Sequence, residues 1–183
     1  RFEQELFGEE TDGKQVRPGL LEMADGGTLY LDEVADMPLS TQARILRVLT
    51  DQSFVRVGGT RQIGVDVRVV SSTTRDLALE MEEKRFREYL FYRLNVVPVS
   101  IPSLADRRDD IPTLTEHFFT RYSNDQGLSP PAISEEAMAA LQAYDWPGNV
   151  RQLRNVVERT IIMTPRERLT TVELEMLPEE ITG

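Results

Sequence analysis

The apolar patterning of this chain changes period at one place. Up to Ile101 it carries short, β-branched runs bounded by glycine; beyond Asp109 every apolar stripe has helical spacing. Thr28-Leu29-Tyr30-Leu31, after Gly26-Gly27, reads as a strand buried on both faces, and Val65–Ser72 reads as a second strand. Val96–Ile101 reads as a third, with Pro98 pointing to an end or an edge. A helix is predicted over about Leu39–Asp51, with Leu39, Ala43, Leu46 and Leu49 on one face and Gln42, Arg44 and Arg47 off it. Phe54–Val57 and Arg61–Ile63 flank Gly58-Gly59 as a hairpin, and charged helices are predicted over about Asp76–Arg85 and Arg87–Leu94. The segment Pro102–Asp109, with one proline and four charges, reads as a linker. Past it, Asp110 is placed to cap a helix bearing Ile111, Leu114, Phe118 and Tyr122. Ser134 is placed to cap a second helix; Asn149, paired with Gln152, a third bearing Val150, Leu153, Val157 and Ile161. The expectation is an α/β body over residues 1–101, a linker over 102–109 and a small all-helical lid over 110–183.

Composition narrows the chemistry. Without cysteine there is no disulfide framework, Cys-ligated zinc or Cys nucleophile, and a single histidine excludes a multi-His metal centre. With 31 acidic against 21 basic side chains, the net charge of −10 argues against a nucleic-acid surface over most of the chain. No apolar run is long enough to span a membrane, so a cytoplasmic location is expected. His117 and Trp146 are expected to be packing residues of the lid, His117 partly buried.

Two stretches invite a nucleotide reading. Gly8–Gln15 nearly matches the phosphate-loop pattern G-x-x-x-x-G-K-[ST], but Gln15 replaces the hydroxyl that would meet Mg²⁺. No buried strand precedes it, Pro18-Gly19 interrupts the helix that should come next, and Glu9, Glu10 and Asp12 would repel phosphate. A polar surface loop is the better reading. The second stretch is Leu29-Tyr30-Leu31-Asp32-Glu33, an apolar strand ending in adjacent carboxylates that the pleat would send to opposite faces. One carboxylate of such a pair can hold Mg²⁺ and the other can polarise an attacking water; acidic residues also simply begin surface loops.

Gly26–Glu33 resembles the Walker-B segment of the AAA+ domain of bacterial sigma-54-dependent activators. Further blocks resemble that family in order: Glu5–Gly8 leads into its sigma-contacting loop, Phe86–Val96 resembles its arginine-finger region, Ile101–Ile111 its link to the lid, and Trp146–Asn155 its sensor-II helix. The wording is most similar to the NtrX-type response regulators. The resemblance implies a partial AAA+ P-loop NTPase body, a parallel sheet with flanking helices, followed by a helical lid. It implies ATP and Mg²⁺ as cofactors, with Asp32 on the metal and Glu33 activating water. Arg87 and Arg93 would reach the γ-phosphate of a neighbouring subunit's ATP, Thr73 and Thr74 fall at sensor I, and Arg151 is the sensor-II arginine.

Each arginine has a second reading. Arg87 and Arg93, six residues apart, would point about 240° apart on a regular helix, and a solvated helix face or an internal ion pair suits either. Arg151 falls in a first helical turn, where the macrodipole disfavours a cation unless a phosphate, or a carboxylate such as Asp145, stands near.

The family further implies ring assembly, contact with sigma-54 RNA polymerase, and DNA binding through a domain outside this chain. The sequence departs from the family in three places. Glu9–Pro18 lacks the Gly-Ala-Phe-Thr-Gly-Ala motif and any aromatic residue, Thr74 stands where asparagine is usual, and no phosphate loop is present. With Arg1 at the start, the last point suggests a piece of a longer protein that would not turn over ATP by itself. The departures also leave a second function open: a nucleotide-sensing or oligomerising scaffold of an NtrX-like response regulator.

Overall fold

Apolar side chains bury themselves in two groups, one within Arg1–Val99 and one within Ser100–Gly183, and the chain divides into two units at that point. A computed structural model describes the backbone of residues 1–183 and every side chain except that of Val16. Among the described residues no helix is long and apolar enough to cross a membrane.

The first unit runs α1 (Phe2–Phe7), β1 (Glu9–Thr11), β2 (Lys14–Arg17), α2 (Leu20–Met23), β3 (Thr28–Leu31), α3 (Leu39–Asp51), β4 (Ser53–Val55), β5 (Gln62–Gly64), β6 (Arg68–Ser71), α4 (Leu77–Glu82) and α5 (Glu88–Leu94). Strands β3 and β6 pair in parallel, Thr28 opposite Arg68 and Leu31 opposite Ser71. A parallel pair needs a long crossover, which α3 and the β4–β5 hairpin supply. The core beneath gathers Leu6, Phe7, Leu21, Leu31, Ile45, Val48, Phe54 and Leu90. The architecture is α/β.

Several expectations are corrected. β3 is not buried on both faces: Leu29 and Leu31 point into the core, while Tyr30 on the other face is 58% exposed. The buried side of α3 is Thr41, Gln42, Ile45 and Val48 rather than the Leu39 stripe. β6 starts only at Arg68, because Val65 and Asp66 donate their amides to the Gln52 carbonyl and the Asp25 carboxylate. Val96–Ile101 is not a strand: Val96, Val97, Val99 and Ile101 lie exposed, and among the described residues no strand pairs with them. An extended run without a partner leaves its amides and carbonyls to water.

The near-match to a phosphate loop, read as a polar surface loop, is the turn of a hairpin. Thr11 pairs with Lys14 across Asp12 and Gly13, whose φ values of 51° and 74° suit the two-residue turn that closes twisted strands. Gly19 then brings the chain back against α1, so closely that a Cβ on it would lie 2.3 Å from the Gly8 nitrogen.

The second unit holds a 3₁₀ helix (Leu104–Asp110), α6 (Ile111–Asp125), β7 (Ala132–Ile133), α7 (Glu135–Ala143), α8 (Asn149–Met163), β8 (Thr171–Val172) and α9 (Glu179–Thr182). It is not purely helical, since β7 and β8 form a short parallel pair. Residues read as a linker thus fold as a 3₁₀ helix that buries Leu104, and Arg108 donates to the carbonyls of Gln142 and Tyr144. Ser134 caps α7 through the Ala137 amide. The Asp110 carboxylate instead accepts from Arg107, and the Asn149 side chain accepts from the Leu104 amide rather than capping its own helix. Trp146 is buried and donates to the Leu141 carbonyl, whereas His117 is exposed, edge-on to Phe118.

Candidate functional site

Strands β3 and β6 end together, and their register decides which side chains meet there. Leu31 stands opposite Ser71, so the next step places Asp32 beside Ser72. Tyr30 and Asp32, two residues apart, share the open face of β3. Ser72 Oγ lies 2.9 Å from Asp32 Oδ1 and 2.8 Å from the Tyr30 hydroxyl. An ionised carboxylate only accepts, so Ser72 donates to Asp32 and Tyr30 donates to Ser72.

Glu33 does not occupy the opposite face of the pleat, as a continuing strand would require. Its φ of 53° and ψ of 64° are left-handed and turn the chain out of the strand into a 3₁₀ turn, Val34–Asp36. The turn delivers its carboxylate to the residues after β6. Thr73 Oγ1 donates to Oε1 at 2.8 Å, and Thr74 Oγ1 donates to Oε2 at 2.7 Å. The Thr74 amide reaches both oxygens, at 3.1 and 3.0 Å. These donors, the Thr74 hydroxyl foremost and Thr73 next, hold the Glu33 carboxyl below the usual glutamate range. The Arg75 charge adds to this and partial burial opposes it.

Asp32 is exposed and accepts one hydrogen bond, on Oδ1; Oδ2 meets no donor among the described residues. A cavity of about 190 Å³ opens beside the pair, lined by Phe2, Asp32, Glu33, Asp36, Met37 and Pro38. Among the described residues no group of three or more His, Cys, Asp or Glu could hold a metal by itself. A cation on Asp32 would complete its shell with water and phosphate oxygens, as Mg²⁺ commonly does with one or two carboxylates. The residues present therefore fit Mg²⁺ carried with a nucleotide and do not fit a metal held by protein alone.

Neither predicted arginine of the first unit bonds to the carboxylate pair. Arg87 precedes α5 with extended backbone, and its Nε donates to the Leu39 carbonyl at 2.9 Å. Arg93, within α5, donates to the Leu49 carbonyl at 3.0 Å. Both are exposed and neither sits in an ion pair among the described residues. They are held along α3 at carbonyls about 15 Å of helix apart. In the second unit, Arg151 is exposed in the first turn of α8. The candidate neutraliser Asp145 pairs with Arg108 at 2.8 Å, and no carboxylate bridges Arg151 among the described residues. The unfavourable position against the helix dipole stands uncompensated there.

Sequence reasoning missed Tyr30, Ser72 and Gln42. The first two were discoverable from Ser71-Ser72-Thr73-Thr74, a hydroxyl run that parallel pairing sets against Asp32-Glu33. Gln42 gave no signal, because a polar residue inside a helical stretch reads as solvent-facing. It is fully buried, donates to the Met37 and Arg85 carbonyls, and accepts from the Arg87 amide. It thereby fixes the start of the arginine-bearing segment to α3.

Residues 1–100 match the Sigma-54 interaction domain, and residues 105–183 match the AAA+ ATPase lid domain. The nitrogen assimilation regulatory protein NtrX of Azorhizobium caulinodans is 51% identical over 99% of this chain. The transcriptional regulator NtrC of Klebsiella pneumoniae is 46% identical over 94% of it. A crystal structure of NtrX from Brucella abortus in complex with ATP superposes with a TM-score of 0.91 at 53% identity, covering 99% of this chain and 40% of that one. The chain spans 40% of the Azorhizobium relative's length and 38% of the Klebsiella one's. The match over residues 1–100, continued by the lid, places this chain in the sigma-54 interaction domain family, as an AAA+ domain of the kind found in NtrX- and NtrC-like transcription regulators.

Proposed function

We propose that this chain is the nucleotide-handling domain of a transcription regulator in which ATP binding and hydrolysis between ring subunits control transcription. The observation that carries this is the division of two adjacent carboxylates at the end of β3. Both line an open pocket, but among the described residues Asp32 keeps an oxygen free, while Glu33 has both oxygens bonded to the residues after β6 and is held ionised. The ATP-bound structure of the similar Brucella protein supports the nucleotide. Asp32 would hold Mg²⁺, which would neutralise phosphate charge when bound, and Glu33 would orient and deprotonate the attacking water. Arg87 and Arg93 would release their α3 carbonyls to meet a neighbouring subunit's γ-phosphate, Thr73 and Thr74 would serve as sensor I, and Arg151 would answer to phosphate as sensor II.

In the same proposal residues 1–101 belong to the AAA+ body, 102–109 to its connection and 110–183 to the lid. The phosphate loop, a DNA-binding domain and a receiver domain would come from outside residues 1–183, and the protein would act in the cytoplasm. Glu33→Gln in the full-length protein is expected to retain ATP binding and to lower turnover by about 10² or more. Undiminished turnover in that variant would remove Glu33 from the chemistry.

A second reading, a nucleotide-sensing scaffold that does not hydrolyse, is favoured by two observations. Both oxygens of Glu33 are already occupied by Thr73 and Thr74, and the hairpin standing where the family carries its sigma-contacting loop ends in Asp12-Gly13 with no aromatic tip. Wild-type full-length protein with no steady-state ATPase would decide for this reading, and a sigma-54-dependent transcription assay would test the polymerase contact separately.

A further inference from the structure

The Ser72 hydroxyl has its full hydrogen-bonding capacity committed. Its proton goes to Asp32 Oδ1 at 2.9 Å, and its oxygen accepts from the Tyr30 hydroxyl at 2.8 Å and from the Glu33 amide at 3.4 Å. The Ser72 backbone works on the same stretch, its amide donating to the Leu31 carbonyl and its carbonyl accepting from the Val34 amide, both at 3.0 Å. One residue thus holds four consecutive positions, Leu31 to Val34, that include both carboxylates.

The direction of the chain of bonds is fixed by chemistry. Tyr30 can only donate to Ser72, because the Ser72 proton is committed to an acceptor-only group. The carboxylate torsion of an exposed aspartate is otherwise broad, so without such a bond the carboxylate would sample many orientations at the pocket. With Oδ1 bound by Ser72, Oδ2 is the oxygen left to a ligand.

We propose that Ser72, oriented by Tyr30, is a positioning residue that holds the Asp32 carboxylate at one torsion, with its other oxygen left to a nucleotide-borne cation. The proposal rests on Asp32 being the cation ligand. Partners that orient a metal ligand through hydrogen bonds commonly change metal affinity by about 10–100-fold when removed. A single, exposed aspartate with one such bond belongs at the low end of that range.

The test uses full-length protein and the factor by which Mn²⁺ tightens ATP binding, taken as the ratio of dissociation constants in EDTA and in Mn²⁺. Asp32→Asn is expected to reduce that factor by about 30-fold or more, Ser72→Ala by about tenfold, and Tyr30→Phe by about fourfold. Ser72→Thr keeps the hydroxyl and should stay within about twofold of wild type. ATP affinity in EDTA should be unchanged in Ser72→Ala, Ser72→Thr and Tyr30→Phe, and since Ser72 and Tyr30 border solvent, each of those three variants should melt like wild type. Asp32→Asn is judged by its ratio alone, because it also removes a negative charge beside the phosphates. If Asp32→Asn collapses the factor while Ser72→Ala leaves it whole, the positioning role is wrong and the cation site stands. If Asp32→Asn leaves it whole, the cation reading falls and takes this role with it. An equal loss of affinity in EDTA and Mn²⁺ on Ser72→Ala would likewise overturn the proposal.

Discussion

A non-glycine residue held in left-handed backbone costs about 1–3 kcal/mol and persists only where its surroundings fix it. At Glu33 four hydrogen bonds from Thr73 and Thr74 do so. Those bonds favour the charged form, so the folded-state pKa lies below the unfolded one. The stabilisation is present above the ordinary glutamate pKa of about 4.3 and disappears as pH falls through the lowered folded value. Because the Thr74 hydroxyl is the strongest of these donors, Thr74→Val should raise the Glu33 pKa more than Thr73→Val does. Carbon-13 carboxyl NMR titration of the two variants reads this directly. A larger rise in Thr73→Val, or none in either, would mean that the carboxylate is held by something other than the Thr74 hydroxyl.

Among elements, the β1–β2 hairpin is secured by one arginine. Arg56 meets Glu22 through two bonds, of 3.0 and 2.6 Å, and Glu10 at 3.2 Å, with all three side chains less than a fifth exposed. Backbone bonds from the Glu10 amide to the Val57 carbonyl and from the Val57 amide to the Gly8 carbonyl lie beside them. Arg56→Ala would strand two carboxylates in a mostly dry place, at a cost of about 2–4 kcal/mol. The Glu10 amide should then lose protection from hydrogen exchange, and Arg56→Lys should restore little, since an ammonium cannot make the bidentate contact. Wild-type protection at Glu10 in Arg56→Ala would show that the backbone bonds alone hold the hairpin. The hairpin also shows what the sequence concealed. The helix Leu39–Asp51 and the strand Thr28–Leu31 were legible in extent from local pattern though not in which face they bury, and Asp32-Glu33 was legible because it ends an apolar run. The hairpin was hidden by a near-motif, since Gly13-Lys14 suits a turn as well as a phosphate loop. Gln42, Ser72 and the fate of Val96–Ile101 depend on which strand or carbonyl lies opposite, which no local pattern encodes.

Over the whole molecule, acid-sensitive stabilisation is unevenly distributed. Glu3, Glu22, Glu33 and Glu80 all have lowered pKa values, through hydrogen bonds chiefly from Thr41, Arg56, Thr74 and Arg85 respectively, and all four lie in Arg1–Val99. Each lends stability that is complete above the unfolded glutamate pKa of about 4.3 and is lost as pH drops through the folded value. Lowering the pH below about 4.3 therefore withdraws four contributions from the first unit. The second unit is built around an apolar cluster that contains the chain's one tryptophan, Trp146, 1% exposed. Trp146 emission consequently reports on Ser100–Gly183 alone, whereas far-ultraviolet circular dichroism reports on both units. In an acid titration of the 183-residue chain, dichroism should begin to fall at a higher pH than the tryptophan emission shifts. Glu80→Gln should widen the gap, because it removes the carboxylate's bonds to Arg85 already at neutral pH and leaves the first unit less to lose before it unfolds. Coincident transitions in wild type would mean that the two cores unfold as one cooperative body, and the acid response could then no longer be assigned to the glutamates of the first unit.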